Sequence, residues 1–405
     1  MTRLQNCPET ILIPRGFLFS AVEARIKASG KPDLALAEAP TGATAAAVFT
    51  RNRVVAAPVE IGRAALKMSS GKVHAVVVNS GNANCATGSV GRDACKRVCK
   101  ALARQLGVNA SEIFPSSTGI IGVKFPHEKL LAHLPALLEK RAATEESVRA
   151  FAGAIMTTDT RPKIASAQIR TAGGIVTLLG VAKGAGMIHP QLATMLVYLF
   201  TDAAATPSQL RALLREACDD SLNCISIDGD TSTNDTALLL ASGASGVRLS
   251  HRDARQKFSL ALTDVCQSLA EQIVSDGEGV HHVIRLHVEQ ARNREEAMTV
   301  ARAIAHSALV KTAWAGADPN WGRILAAAGR SGVMLDPARV QIWIGGQRVC
   351  RNGATARFDE RKAHQALAQP VCEVCVRLGR GQAAVHFLTT DLTAEYVRIN
   401  ADYST

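Results

Sequence analysis

The stretch Ile175-Val-Thr-Leu-Leu-Gly-Val181, Ala182-Lys-Gly-Ala-Gly-Met-Ile-His-Pro-Gln-Leu-Ala193, Thr194-Met-Leu-Val-Tyr-Leu-Phe200 decides the fold class. Its two ends are short, continuous apolar runs, as expected of strands covered on both faces. The segment between them contains Gly184, Gly186 and Pro190 and is not the interior of a regular element. Two strands joined by an irregular loop therefore deliver Thr194 to the start of the second strand.

Working outward, residues 73–78 form another apolar run. It ends in Asn79-Ser-Gly-Asn-Ala-Asn84 and reads as a buried strand entering a Gly/Asn turn. Residues 93–106 read as a helix with Cys95, Val98, Cys99 and Leu102 on one stripe. Thr206-Pro-Ser-Gln209 opens a second helix with a capping box and a proline at the first helical position, and Leu210, Leu213, Leu214, Ala217 and Cys218 form its buried stripe. A third starts at Asn293, with Glu296 three residues on, and buries Ala297, Val300, Ala301 and Ile304. No repeat, low-complexity tract or linker interrupts the chain. The fold class is mixed α/β, with several sheets covered by helices.

The bulk numbers narrow the function. The 405 residues suffice for roughly two or three domains' worth of core. With 47% apolar and 20% charged residues the chain is globular, not disordered. No apolar run approaches the ~20 residues of a membrane helix. Residues 1–17 are polar, are broken by Pro8 and Pro14, and lack the apolar stretch of a secretory signal; a cytoplasmic location is expected. Ten cysteines then imply reduced thiols. Cys372-Glu-Val-Cys375 lacks a second ligand pair for zinc, and a strand over 371–378 points its thiols to opposite faces. The net charge is +11, yet basic residues are scattered and aromatics are only 4%. That argues against a nucleic-acid surface and leaves an attraction for anionic metabolites.

Thr194 invites a chemical reading. A threonine hydroxyl in mid-chain is a poor nucleophile. At a chain terminus it gains its own base, an α-amino group with an ordinary pKa of about 7.7–8.0. Self-cleavage would create that terminus: the hydroxyl attacks the Ala193 carbonyl, the acyl group shifts from nitrogen to oxygen, and water opens the ester. On spacing alone, a β-branched residue opening a strand is the simpler account.

Three further stretches stand out. Pro115-Ser-Ser-Thr-Gly-Ile-Ile-Gly122 sets hydroxyls before Gly119, fitting either an oxyanion hole or a Ser/Gly-capped turn. Asp228-Gly-Asp-Thr-Ser-Thr-Asn-Asp235 lacks the length and closing glutamate of a calcium loop; a tight turn held by its own side chains suffices. Asp276-Gly-Glu-Gly279 is a turn that exposes the Glu278 carboxylate. The terminal Arg398-Ile-Asn-Ala-Asp-Tyr-Ser-Thr405 is polar and expected to fray.

Taken together these stretches carry a resemblance. Ala47-Val-Phe-Thr-Arg-Asn52, Asn79 to Asn84, Ser117-Thr-Gly-Ile-Ile-Gly122, Met156-Thr-Thr-Asp159, Lys183-Gly-Ala-Gly-Met187 and Leu192-Ala-Thr-Met-Leu196 come in order. Asp228 to Asp235, Asp276 to Gly279, Gly316-Ala-Asp-Pro-Asn-Trp-Gly-Arg323 and Tyr396 to Thr405 follow. Nearly end to end, the chain resembles the ornithine acetyltransferase (glutamate N-acetyltransferase) family of arginine biosynthesis.

The resemblance implies an α/β sandwich distinct from that of other N-terminal-nucleophile hydrolases. It implies a cut between Ala193 and Thr194, giving an α chain of residues 1–193 and a β chain of residues 194–405 that interlock and assemble as an α₂β₂ heterotetramer. It makes Thr194 the acetylated nucleophile, and Thr118 and Gly119 the oxyanion hole. Thr157, Lys183, Thr194, Glu278, Asn400 and Thr405 become the contacts for N-acetylornithine and glutamate. No metal or bound cofactor is implied; acetyl-CoA enters only as a second acetyl donor. A self-cleaving aminopeptidase or amidase on a similar scaffold is the alternative. Departures from the family pattern fall at Val280-His281-His282, at His189 and at Cys85-Ala-Thr87. The first of these bears on substrate preference near Glu278.

Overall fold

The structure is a computed structural model that describes residues 10–189 and 195–402. Ala193, Thr194 and Thr405 lie outside the described residues. In chain order the strands of the first half are β1 (Leu18–Val22), β2 (Leu34–Phe49), β3 (Lys72–Asn82), β4 (Ile113–Ile120), β5 (Lys163–Thr171) and β6 (Gly174–Lys183). After the loop come β7 (Leu196–Thr201), β8 (Ile225–Ser226), β9 (Thr236–Ala241) and β10 (Val283–Ala291). The last are β11 (Gln341–Ile344), β12 (Gln347–Arg351), β13 (Ala354–Thr355), β14 (Val371–Arg377) and β15 (Ala383–Thr390).

These strands form two sheets. The first runs β4-β3-β2-β9-β7-β6-β5, with β1 paired to β2. β7 and β9, which follow the loop, are thus inserted between β2 and β6, which precede it. β7 is parallel to β9 and antiparallel to β6. The second sheet runs β13-β12-β11-β14-β10-β15-β8.

Every residue of β7 and β9 is buried, as the continuous apolar runs predict. Alternation divides their side chains between two cores. Val197, Leu199, Ala237 and Leu239 meet Leu213 of the helix Pro207–Asp219 and Leu269 of the helix Arg252–Val274. On the opposite face Leu196, Tyr198 and Phe200 meet Phe19 and Phe151. Phe200 stands edge-on to Phe17 and Phe19, an arrangement that suits the aromatic quadrupole. A separate core lies between the second sheet and the helices Arg294–Ala305 and Trp321–Gly329.

Local signals are borne out where they are local. Thr206 and Gln209 form the expected capping box, and the Asn293 side chain accepts from Glu296 N. Both buried stripes are as expected. Cys372 is buried in the second core while Cys375 lies on the other face of β14.

Three expectations are corrected. The helix over 93–106 starts at Gly88, because Asn84 Nδ2 donates to Gly91 O and holds the first turn. The Ser/Gly turn over 115–122 is instead β4 through Ile120, paired in parallel with β3. Residues 398–402 of the terminal stretch, expected to fray, belong to the helix Ala394–Asp402. No helix of the described residues is long and apolar enough to cross a membrane.

Candidate active site

A cleft opens at one end of the first sheet, where β6 ends and β7 begins. Lys183, the last residue of β6, is in register with Leu196, the first of β7, and Leu196 is in register with Thr236 of β9. Met195 O accepts from Thr236 N at 2.9 Å. The residue that follows Thr194 in the chain is thereby fixed beside the cleft, which Met195, Lys183, Thr118, Gly119, Thr157 and Glu278 line together. Asn400 and Asp235 line it as well. Of the sequence-derived site residues, all except Ala193, Thr194 and Thr405 lie within the described structure, and they converge on this one cleft.

The oxyanion-hole candidates reach it through buried polar pairing. Ser117 Oγ donates to Asn79 Oδ1 at 2.6 Å, locking the end of β4 to β3. Asn234 Nδ2 donates to both Ala83 O (2.7 Å) and Ser117 O (2.9 Å), tying the 228–235 segment to the same place. Gly119 follows with φ +128°, and a Cβ there would lie 2.4 Å from the carbonyl carbon of Gly81. Only glycine lets the two strands approach so closely at this conformation.

Lys183 is 9% exposed, so its charge is largely out of water. Its ammonium donates to Thr157 Oγ1 at 2.8 Å and Thr118 Oγ1 at 3.3 Å, and stands 3.8 Å from Asp159 Oδ2. Asp159, the last residue of the Met156–Asp159 motif, organises this wall. Its Oδ1 accepts from Gly184 N and from Lys163 Nζ, each at 2.6 Å, and its Oδ2 from Thr157 N at 3.0 Å. Burial alone would push this carboxyl up. The charges of Lys183 and Lys163 outweigh that and hold it well below the usual carboxylate range.

Lys163 bridges onward to Asp276 Oδ2 at 2.6 Å. Asp276 also accepts from Thr160 N (3.0 Å) and from the Thr160 hydroxyl. The turn that carries Glu278 is therefore anchored to the strand that carries Lys163. Glu278 N donates to Ala185 O, and its carboxylate occupies the space a Cβ on Gly186 would need, 2.6 Å from that position. Asn400 Nδ2 donates to Glu278 Oε2 at 2.9 Å, which gives the terminal helix its hold on the cleft.

Asp228 holds its own turn and the loop opposite: its carboxylate accepts from Asp230 N (3.1 Å), the tight-turn bond expected, and also from Met187 N (2.6 Å) and Ile188 N (2.9 Å). His281 and His282 do not line the cleft: His281 N and His282 Nδ1 both meet Asp391, each at 3.1 Å. Sequence reasoning missed Lys163, Asp235 and Asn234 as individuals. Asp235 is buried, and its Oδ2 has no hydrogen-bond partner among the described residues. Burial pushes its carboxyl well up, with Ser232 hydrogen bonding and the Lys183 charge only partly countering.

The cleft thus offers a desolvated cation on one wall and a carboxylate on the other, beside the strand that begins after Thr194. A relative from Methylococcus capsulatus, "Arginine biosynthesis bifunctional protein ArgJ", is 45% identical over 99% of this chain and 98% of its own. The protein of the same name from Thermus thermophilus is 45% identical over 98% of this chain and 100% of its own. A crystal structure of arginine biosynthesis bifunctional protein ArgJ from Bacillus halodurans is 38% identical, with a TM-score of 0.48, and covers 50% of this chain and 96% of that one. The ArgJ family pattern matches residues 18–405, and on that match the chain belongs to the ArgJ family.

Proposed function

We propose that the protein transfers the acetyl group of N2-acetylornithine to glutamate through an acetyl-Thr194 intermediate, as a step of arginine biosynthesis. The observation that carries this reading is the charge layout of the cleft. Lys183, set by Thr157 and Thr118, and Glu278, set by Asn400, present opposite charges within one cleft. A substrate with a carboxylate and an ammonium, such as acetylornithine, matches both poles. The relatives' shared name, arginine biosynthesis bifunctional protein, supports the same reading.

The reaction runs by double displacement. The chain cuts itself between Ala193 and Thr194, giving an α chain (1–193) and a β chain (194–405) that stay together and assemble in the cytoplasm as an α₂β₂ heterotetramer. The freed α-amino group of Thr194 takes the hydroxyl proton as the oxygen attacks the acetyl carbonyl. The developing oxyanion is met by the Thr118 hydroxyl and Gly119 N–H. Lys183 donates to Thr118 Oγ1, which leaves the threonine's own hydrogen free for that oxyanion. Ornithine departs with a proton, and the glutamate amine then takes the acetyl group from Thr194. Thr405 joins Asn400 in closing over the substrate. The base and the oxyanion donors come from the chain itself, so no metal or organic cofactor is needed, and acetyl-CoA serves as a second acetyl donor.

Purified, processed protein given N-acetylornithine and glutamate is expected to form N-acetylglutamate faster than it hydrolyses acetylornithine. Hydrolysis in excess of transfer would assign the amidase alternative instead.

A further inference from the structure

A second cavity, of about 410 Å³, is lined by Arg51, Arg294, Arg302, Asp219, Glu295 and neighbours. Arg51 belongs to the Ala47–Asn52 stretch, which the catalytic reading leaves without a task. Its neighbours on both sides are pinned to the segment that lines the cleft. Thr50 Oγ1 donates to Ser232 O and Asn52 Nδ2 to Thr231 O, each at 2.8 Å. Thr231 Oγ1 in turn donates to His189 O at 3.3 Å. Arg51 is therefore held at a fixed backbone position with an exposed side chain.

Arg302, in the last turn of the helix Arg294–Ala305, faces the same cavity. Among the described residues its Nε is buried without a hydrogen-bond partner, and no carboxylate forms an ion pair with Arg51 or Arg302. Burial, and then the charge of Arg51, act against the Arg302 cation. Burial and the charge of Arg302 drive His189 down to about 4, and burial with His189, Lys311, Arg302 and Arg330 drives His306 down to about 3, so both rings are neutral near pH 7. The other polar lining groups are engaged elsewhere, with one exception. Arg294 pairs with Asp220 at 3.0 Å and donates to Asp219 O, and Asp219 Oδ1 accepts from Asn223 at 2.8 Å. Of these groups Glu295 alone has neither a side-chain hydrogen bond nor an ion pair among the described residues.

Two guanidinium groups that repel each other, neither with an ion pair among the described residues and one of them half-buried, are an arrangement that an anion completes. Guanidinium forks match the oxygens of a phosphate. The cavity is larger than a lone phosphate and falls in the size range of small-molecule pockets. We propose that Arg51 and Arg302 form a binding site for a phosphate-bearing ligand, separate from the acetyl-transfer cleft. The phosphate belongs either to a nucleotide-type carrier such as coenzyme A or to free inorganic phosphate. The site stands whether or not the reaction proposed above is correct, because neither arginine lines that cleft.

The test is calorimetric titration of the full-length, processed protein with coenzyme A and, separately, with inorganic phosphate. At least one should bind, and binding should weaken as salt rises. Arg51→Gln and Arg302→Gln should each weaken it about ten-fold or more, the loss expected of a charge-assisted hydrogen bond. Glu295→Gln should tighten it, a gain that general damage to the fold would not give. Arg51 is exposed, so Arg51→Gln keeps the test sound if the half-buried Arg302 variant folds poorly. Binding of coenzyme A alone identifies a nucleotide-type ligand; binding of both probes identifies the phosphate group itself. If neither probe binds, or if binding is indifferent to both arginine variants, the proposal is overturned.

Discussion

The Lys163 ammonium stands 2.6 Å from Asp159 Oδ1, and neither side chain has any exposure to solvent. This pair is not incidental packing. The other oxygen of Asp159 faces Lys183, and the second carboxylate on Lys163 is that of Asp276, two residues before Glu278. One buried lysine thus joins the wall bearing the candidate substrate cation to the turn bearing the candidate substrate carboxylate.

Lys163→Met should therefore be costly. It leaves two carboxylates buried without their shared cation, a loss of about 3–5 kcal/mol in comparable sites. Asp159 has a depressed pKa in the folded state, so its contribution is present above its unfolded pKa of about 3.9 and fades as pH falls through the folded value. The variant should accordingly unfold at lower urea at pH 7 and lose its shortfall as the solution is acidified. Equal urea midpoints for the two proteins at pH 7 would contradict the role assigned to the pair.

Asp235→Asn tests the opposite case. The Asp235 carboxyl is raised by burial, so the folded state keeps its proton where the unfolded state has released it. Its contribution is complete below the unfolded pKa of about 3.9 and declines as pH rises toward the folded value. Asparagine has no proton to lose. Urea unfolding from pH 4 to pH 7 should show the parent losing stability relative to the variant; a constant difference would refute the assignment.

Gly119→Ala should disturb both fold and chemistry. The new Cβ meets the backbone of Gly81 and Asn82 at 2.4–2.5 Å, and the φ of +128° is strained for alanine. We expect a stability loss of about 1–3 kcal/mol. The remaining folded protein should show kcat lower by about 100-fold, the usual effect of displacing one oxyanion donor. Parent-like thermal unfolding together with parent-like turnover would rule out both roles.

Thr194→Ala separates self-cleavage from folding. Intact mass should show two chains for the parent, broken before Thr194, and one for the variant, which should also lack acetyl transfer. A variant that is still cut at this bond would assign the nucleophile elsewhere.

What the sequence made legible was local. Thr206 and Asn293 announce their helices within four residues, and the apolar runs at 175–181 and 195–200 need no partner to be read as buried strands. β4 was obscured because Ser116, Ser117 and Thr118 look like turn residues. They are buried or half-buried in β4, where Asn79 of β3 and Asn234 take up the polar groups of Ser117. The Lys163–Asp276 bridge spans 113 positions, and no periodicity reveals such a pair. The terminal helix buries no residue of its own and so has no apolar stripe to read. Its hold is tertiary, through Asn400 to Glu278.

The placement of β7 and β9 between β2 and β6 has a consequence for the life of the molecule. Residues 1–193 contribute the outer strands of this sheet, and residues after 194 supply the two that fill its middle. Neither piece has this first sheet complete, so a chain that cuts itself before Thr194 must fold first. Once cut, the pieces could part only by unzipping the β2–β9 and β6–β7 ladders together and exposing the two cores that flank them. Scission before Thr194 would then act as maturation rather than release: it frees a new amino terminus while the fold keeps hold of both products.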